Sequence, residues 1–472
     1  MIMPLPRTFL SLCAAATVLT ASIGFTSSIF AKDFEVWLVD QSNSNGKTFG
    51  GTIHIYDGDD LKGKAASSTI PTDVLDLSGA TSTLCFESTG ANPVRPHMIQ
   101  FNSSHSHAVL TFVTSGHVVI FNAATRAPVA CIRTSAGAGG ARQAHAATPA
   151  PDDSYILVAN QNGKLLERIN VSFATNTFTL DAQATINLAT CTTPNGFACQ
   201  DVVRRPDNAP IVPVVDSSSM LGFITLRGGG LFVVNPKLTP MQIIAEYDRE
   251  TVRGAGFAGA QAAGVMYVNS GGGSVLDPQR FDVYAFPLSG YSAGNVPNTP
   301  TPRRLYSDDT VERDSHGLVV TKRERFVWVL DRQQNVAEVF DTRTGANIRT
   351  VDLNEGGPAG LAPDLAGRSP AGTRIFVSLR GPNPLSGDPH LSTGSTPGLG
   401  VIQVTKNGKN GKLKSVIPIH NIDANRIERA DAHGIGVRLK ETPRSHGGDM
   451  LDPEEEEDED KEDDLNNPRT KK

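Results

Sequence analysis

The chain has 472 residues, 39% hydrophobic and 6% aromatic, with 45 Gly and 30 Pro, so it can bury a large core but turns often. Its formal net charge is -6 at pH 7, with much of the acid between Glu454 and Asp464, and no clustered basic face of the kind a nucleic-acid groove requires. Long amphipathic helical patterns are scarce, which points to many short strands.

At the N-terminus Arg7 gives a positive start, an apolar stretch runs from Phe9 to Ile23, and small residues lead to Ala31. Residues 1–31 therefore read as a signal peptide, and the chain as secreted or periplasmic. A membrane anchor is the competing reading, but the apolar run is short and broken by Ser and Thr. No later stretch is long and apolar enough to span a bilayer.

Four cysteines remain after cleavage: Cys85, Cys131, Cys191 and Cys199. An even number in an exported chain favours disulfides. Cys191 and Cys199 flank a turn-rich loop, Thr-Thr-Pro-Asn-Gly-Phe-Ala, and are expected to pair, which leaves Cys85 for Cys131. No Cys-x-x-Cys or Cys/His spacing suggests structural zinc.

The repeats begin with Glu35-Val36-Trp37-Leu38-Val39-Asp40-Gln41, followed by Thr52-Ile53-His54-Ile55-Tyr56-Asp57. A second copy runs from His107 to Val113. Others carry Tyr155-Ile156-Leu157-Val158, Phe223-Ile224-Thr225-Leu226 and Met266-Tyr267-Val268-Asn269. Phe326-Val327-Trp328-Val329-Leu330-Asp331 and Arg374-Ile375-Phe376-Val377 complete seven. Each copy has an earlier strand, often ending in Pro and a polar turn, as at Pro149 and Pro370. Strand, turn, strand, loop, strand, turn, strand is one propeller blade. The first copy lacks its inner strand, and Glu428 to Val437 supplies one that looks like Glu312 to Val320. The sequence thus predicts an all-β fold, a seven-bladed β-propeller over residues 32–440, with the C-terminal strand completing the first blade. Residues 441–472 are acidic and without periodicity, and are expected to be disordered.

These repeats resemble the YVTN-type repeats of secreted lactonase-like propellers, from about Asp33 to Lys440. The resemblance implies the propeller fold and an exported setting. It says less about chemistry, because the architecture hosts many functions.

Aligned on their second strands, the blades repeat a polar position. His97 lies ten residues before His107, His145 ten before Tyr155, His316 ten before Phe326 and Asp364 ten before Arg374. His433 takes the same place in the closing strand. The start of an inner strand lies at the mouth of the central channel, so these five residues are expected to meet there. Three or four imidazoles can hold one transition metal ion, copper or zinc. Asp314 and Asp431, two residues before His316 and His433, are expected to orient those rings. The loop after the second strand opens on the same face and carries Gln41, Gln161, Arg227, Arg332 and Arg380, with Asp207 and Asn208 near the start of blade four. Gln161, Asn208, Arg227, Arg332 and Arg380 are the residues expected to bind a small anionic substrate. The competing reading of the histidines is that they cap inner strands. His105, His107 and His117 read as surface or strand-end residues. The Pro/Gly/Ser-rich loop from Gly381 to Gly400, which carries His390, could cover the pocket.

Two functions follow. One is a metal-dependent exported enzyme, a lactonase-like hydrolase or an oxidase, although an imidazole-rich site departs from the carboxylate-rich sites of calcium-type lactonase propellers. The other is a non-catalytic binding module that contacts a small anion or a protein partner. No nucleophile elbow or phosphate-binding glycine loop is present in the sequence.

Overall fold

Short runs of β-branched and aromatic residues dominate the second strand of every repeat, and these strands are buried on both faces. All seven residues of Phe34–Asp40 are buried, as are all six of His107–Phe112, Tyr155–Asn160 and Phe326–Asp331. The outer strand Asp73–Asp76 alternates between half-buried and exposed positions, and Asn347–Asp352 is half-buried or exposed except at Val351, as edge strands facing water should be. The computed structural model describes residues 33–440, apart from 63–65, 273–279, 293, 311, 356 and 386–392. The expected signal peptide, the acidic tail and His390 lie outside the described residues.

Among the described residues, 28 strands form seven antiparallel four-stranded sheets, with one α-helix, Ala80–Thr89. Six blades are continuous in sequence. The first is not: its order from the channel outward is Ala432–Leu439, Phe34–Asp40, Thr52–Asp57, Asp73–Asp76. The closing strand runs antiparallel to the first, with Trp37 opposite Gly436 and Leu38 opposite Ile435. The sequence expectation of seven blades closed by the C-terminal strand therefore holds. Closure leaves no open inner edge to pair with another chain.

The blades wedge together through apolar layers. Trp37 meets Phe101 of the second blade edge to face, with ring centroids 5.3 Å apart. Trp328 of the sixth blade is fully buried and donates Nε1–H to the Gly408 carbonyl of the seventh at 2.8 Å. Both expected disulfides are present. Cys85–Cys131 ties the helix to the outer strand of the second blade, and Cys191–Cys199 closes the loop before the fourth.

Two glycines set how closely the inner strands approach near the axis. A Cβ on Gly434 would lie 2.3 Å from the His97 carbonyl oxygen, and one on Gly317 would lie 2.3 Å from that of Asp364. This is why Gly follows His in both His316-Gly317 and His433-Gly434.

Candidate functional site

The inner strands carry an irregularity at their channel-mouth ends. Pairing with the second strand shifts register between Pro96 and Ile99, Ala144 and Ala146, Ser315 and Leu318, and Pro363 and Ala366. In the closing strand the shift falls between Ala432 and Ile435, opposite Asp40 and Leu38. These intervals contain His97, His145, His316, Asp364 and His433. A β-bulge re-aims a side chain that strict alternation would send elsewhere. Three histidine carbonyls are held by the second strand of the preceding blade: Thr111 donates to His145 O at 3.1 Å, Asn269 to His316 O at 2.6 Å, and Ser378 to His433 O at 2.6 Å.

The five polar side chains and one aromatic ring form a continuous buried circuit. His433 stacks on His97, with centroids 3.9 Å apart and planes 14° from parallel. His97 Nε2 lies 3.3 Å from His145 Nε2. His145 meets Phe257 edge-on at 5.7 Å, and Phe257 stacks on His316 at 3.3 Å. His316 Nε2 lies 2.9 Å from Asp364 Oδ1, and His433 Nδ1 donates to Asp364 Oδ2 at 2.6 Å. Relative exposure is 7%, 8%, 4%, 0% and 1% for His97, His145, His316, Asp364 and His433, so water reaches the cluster sparingly.

A second layer of charge supports it. Arg380 donates to Asp364 at 3.0 Å and grips Asp431 through two donors at 2.7 and 2.8 Å. Arg332 donates to Asp314 at 2.8 Å and stands 3.5 Å from Asp364. Among the described residues, these ion pairs set the buried carboxylates of Asp364, Asp431 and Asp314 against the guanidiniums of Arg332 and Arg380. Burial alone would raise the Asp364 pKa, but His433, His316, Arg380 and Arg332 outweigh it and hold the carboxyl well below its usual range. Burial pushes His97 and His316 well below the ordinary imidazole value, and His433 below it as well. The imidazoles are therefore neutral beside an ionised Asp364, which is the protonation state that ligates metals.

Among the described residues, one group of three ligating side chains brings its ligand atoms within 4.8 Å of one another: His316, Asp364 and His433. Within it, both nitrogens of His316, Nε2 of His433 and Oδ1 of Asp364 are buried without a hydrogen-bond partner. His316 Nε2 and Asp364 Oδ1 are close, but they do not meet the geometry of a hydrogen bond. Orphaned buried polar atoms are costly unless something else engages them.

The other sequence candidates fall in different places. Asp314 and Asp431, expected to orient His316 and His433, hold Arg332 and Arg380 instead, and Asp431 also accepts from Gln41 Nε2 at 2.8 Å. Arg332 and Arg380 are buried with their donors on carboxylates. Arg227 is partly exposed, donating to Asp207 at 2.6 Å and to Asn162 at 3.1 Å. Gln161 is buried, and Asn208 is fully buried with its amide on Leu188 O at 2.6 Å. His107 and His117 begin strands, as expected, but both are buried. Phe257 is the member of the circuit that the sequence alignment missed: it lies eight residues before Val265, where its strand begins, not ten.

No protein-family model and no curated protein matches the sequence. Solved structures do share the fold. A protein from Lactobacillus plantarum is 10% identical, with a TM-score of 0.55 over 87% of this chain and 100% of that one. The periplasmic gluconolactonase of Pseudomonas aeruginosa is 13% identical, with a TM-score of 0.53 over 86% of this chain and 100% of that one. At these identities the likeness is one of fold. The two disulfides are compatible with an extracellular or periplasmic protein, and no described helix is long and apolar enough to cross a membrane.

Proposed function

We propose that this is an exported metal-dependent hydrolase, with one transition metal ion of the zinc or copper class at His316, Asp364 and His433, acting on a small anionic ester or lactone. The observation that carries the reading is the convergence of buried polar atoms without hydrogen-bond partners on these three side chains. Two imidazoles and one carboxylate suit a first-row ion and leave coordination positions open. The ionised carboxylate of Asp364 favours a cation. Bound there, such an ion would supply Lewis acidity and an activated water. Asp364 would hold the His433 ring by its Nδ1–H, as carboxylates do for metal-bound histidines. Arg227, the partly exposed arginine of those singled out by sequence, is the candidate to meet the substrate anion. The fold likeness to a gluconolactonase makes a lactone the first substrate to try.

One observation favours a second reading, a binding module without turnover: the cluster is almost closed to water, and Arg332 and Arg380 are already engaged. The test is metal analysis of untagged protein, followed by hydrolysis assays on lactones and aryl esters with metal-depleted and reloaded protein. Stoichiometric metal with metal-dependent hydrolysis supports the enzyme. Metal without turnover supports the module, and a metal-free cluster removes the first reading.

A further inference from the structure

A cavity of about 410 Å³ opens at the end of Gln242–Tyr247, the outermost strand of the fourth blade. That volume is in the range of small-molecule sites. None of its lining residues belongs to the histidine circuit. Its floor is the ion pair of Glu246 and Arg205, 7% and 1% exposed and 3.0 Å apart. One wall is the loop closed by Cys191–Cys199. Asn195 of that loop donates to Glu246 Oε1 at 2.7 Å, and Arg205 donates its Nε–H to Cys199 O at 3.0 Å. Another wall is the loop 297–302. Tyr247 Oη donates to Pro300 O at 2.6 Å, and Asn298 donates its backbone N–H to Ile244 O at 2.9 Å. Both walls are thus tied to one buried strand, so the cavity is formed before any ligand arrives.

The lining specifies the class of ligand. Of its charged groups, Glu246 and Asp248 offset Arg204 and Arg205, so it favours neither an anion nor a cation. Asp248 accepts from Thr251 N–H and Oγ1–H on Oδ1, at 2.9 and 2.8 Å, which leaves Oδ2 to accept. The Arg204 guanidinium, with its Cζ 3.8 Å over the Phe197 ring, can only donate. Thr299 and Thr301 are exposed and can do both. A ligand that answers all of these must donate and accept at several points without carrying charge, which is the chemistry of hydroxyl groups. Phe197, 37% exposed, and the rings of Pro297 and Pro302 add apolar surface for C–H faces.

We propose that this cavity binds an uncharged sugar ring, as a site separate from the channel mouth. Asp248 accepts from ring hydroxyls, Arg204 donates to ring oxygens, and the threonines fill in between. The proposal does not depend on a metal at His316, Asp364 and His433, and it gives the outer edge of the fourth blade a recognition role that the axial cluster does not supply.

The experiment is saturation-transfer-difference NMR on the untagged, disulfide-intact protein. The probes are the methyl glycosides of glucose, galactose and mannose, with glucosamine and methyl glucuronide as charged counterparts. The expected result is a saturable signal from at least one methyl glycoside, tighter than that of either charged compound. Asp248→Ala should weaken it about 10–100-fold, the loss of one charged hydrogen-bond acceptor. Thr299→Trp fills the cavity from an exposed position and should abolish it, with the thermal transition unchanged, so the site is tested even if Asp248→Ala disturbs its turn. No saturable signal from any of the three glycosides overturns the proposal. A signal that Thr299→Trp leaves intact also overturns it, because the sugar then binds elsewhere on the protein. Tighter binding of a charged compound overturns the uncharged class.

Discussion

Asp364 and His433, 69 residues apart in sequence, share a 2.6 Å hydrogen bond across the seam where the ring closes. Asp364 belongs to the last continuous blade, and His433 to the strand that returns to complete the first. Closure of the fold and assembly of the cluster are therefore one event.

A chain ended at Ala430 should lose both the inner strand of the first blade and His433, leaving Phe34–Asp40 as an unpaired edge. A chain ended at Lys440 keeps both. Circular dichroism melts should show a cooperative transition for the second and a broad, aggregating one for the first. Equal melts for the two would refute the closure argument.

Asp364→Asn keeps the shape of the side chain but removes the carboxylate that faces Arg332, Arg380 and two imidazoles. Arg332 and Arg380 keep Asp314 and Asp431, so what is lost is one charged acceptor shared among the guanidiniums and imidazoles, a cost of about 1–3 kcal/mol. Urea unfolding in the presence of a chelator should show that loss, and metal loading should fall in parallel. A variant as stable as the parent would show that the guanidiniums find other acceptors.

The disulfides should differ in worth. Cys85–Cys131 spans 46 residues and Cys191–Cys199 spans 8. Chain-entropy arguments give about 4 kcal/mol for the first and about 2.5 kcal/mol for the second. Urea midpoints of the two double-Ser variants check the order. The reverse order would mean that the loop before the fourth blade owes its fold to its bridge.

His117 predicts an acid-sensitive element. Its ring lies between Ser115 Oγ and Thr89 Oγ1, both at 2.8 Å, and pins the end of the helix to the second blade. Burial, aided by Arg133 and Arg142, lowers its pKa to about 4. The unfolded imidazole titrates near 6.5, so the unfolded chain protonates first; stability present above about pH 6.5 is lost as pH falls toward about 4, at most about 3 kcal/mol. Asp40, raised to about 6 by burial, acts in the opposite direction. The comparison is therefore between parent and His117→Gln at each pH. The deficit of the variant near neutral pH should shrink by most of that amount near pH 4, and a constant deficit would exclude His117 as the source.

The fold was legible because its signal is repeated. Trp37 and Trp328 occupy matching places in matching strands, and His316-Gly317 and His433-Gly434 announce the same strand twice. The cluster was legible where spacing is regular and illegible where it breaks. Phe257 lies eight residues before its second strand, in a blade whose inner strand is the four residues Gly259–Ala262, so alignment passed over it. The bulges that turn the histidines leave no mark in the sequence, because they are a matter of register. Arg332 and Arg380 read as anion binders because a sequence shows that a guanidinium is present, not that Asp314 and Asp431 already hold it.

A ribosome makes the closing strand after every other described element. Until Ala432–Leu439 emerges, Asp364 lacks its hydrogen-bond partner His433, and His97 lacks the ring it stacks against. An ion held at His316, Asp364 and His433 would therefore act as a receipt for a finished molecule. A prematurely ended chain would carry six complete blades and lack His433, one of the three ligands.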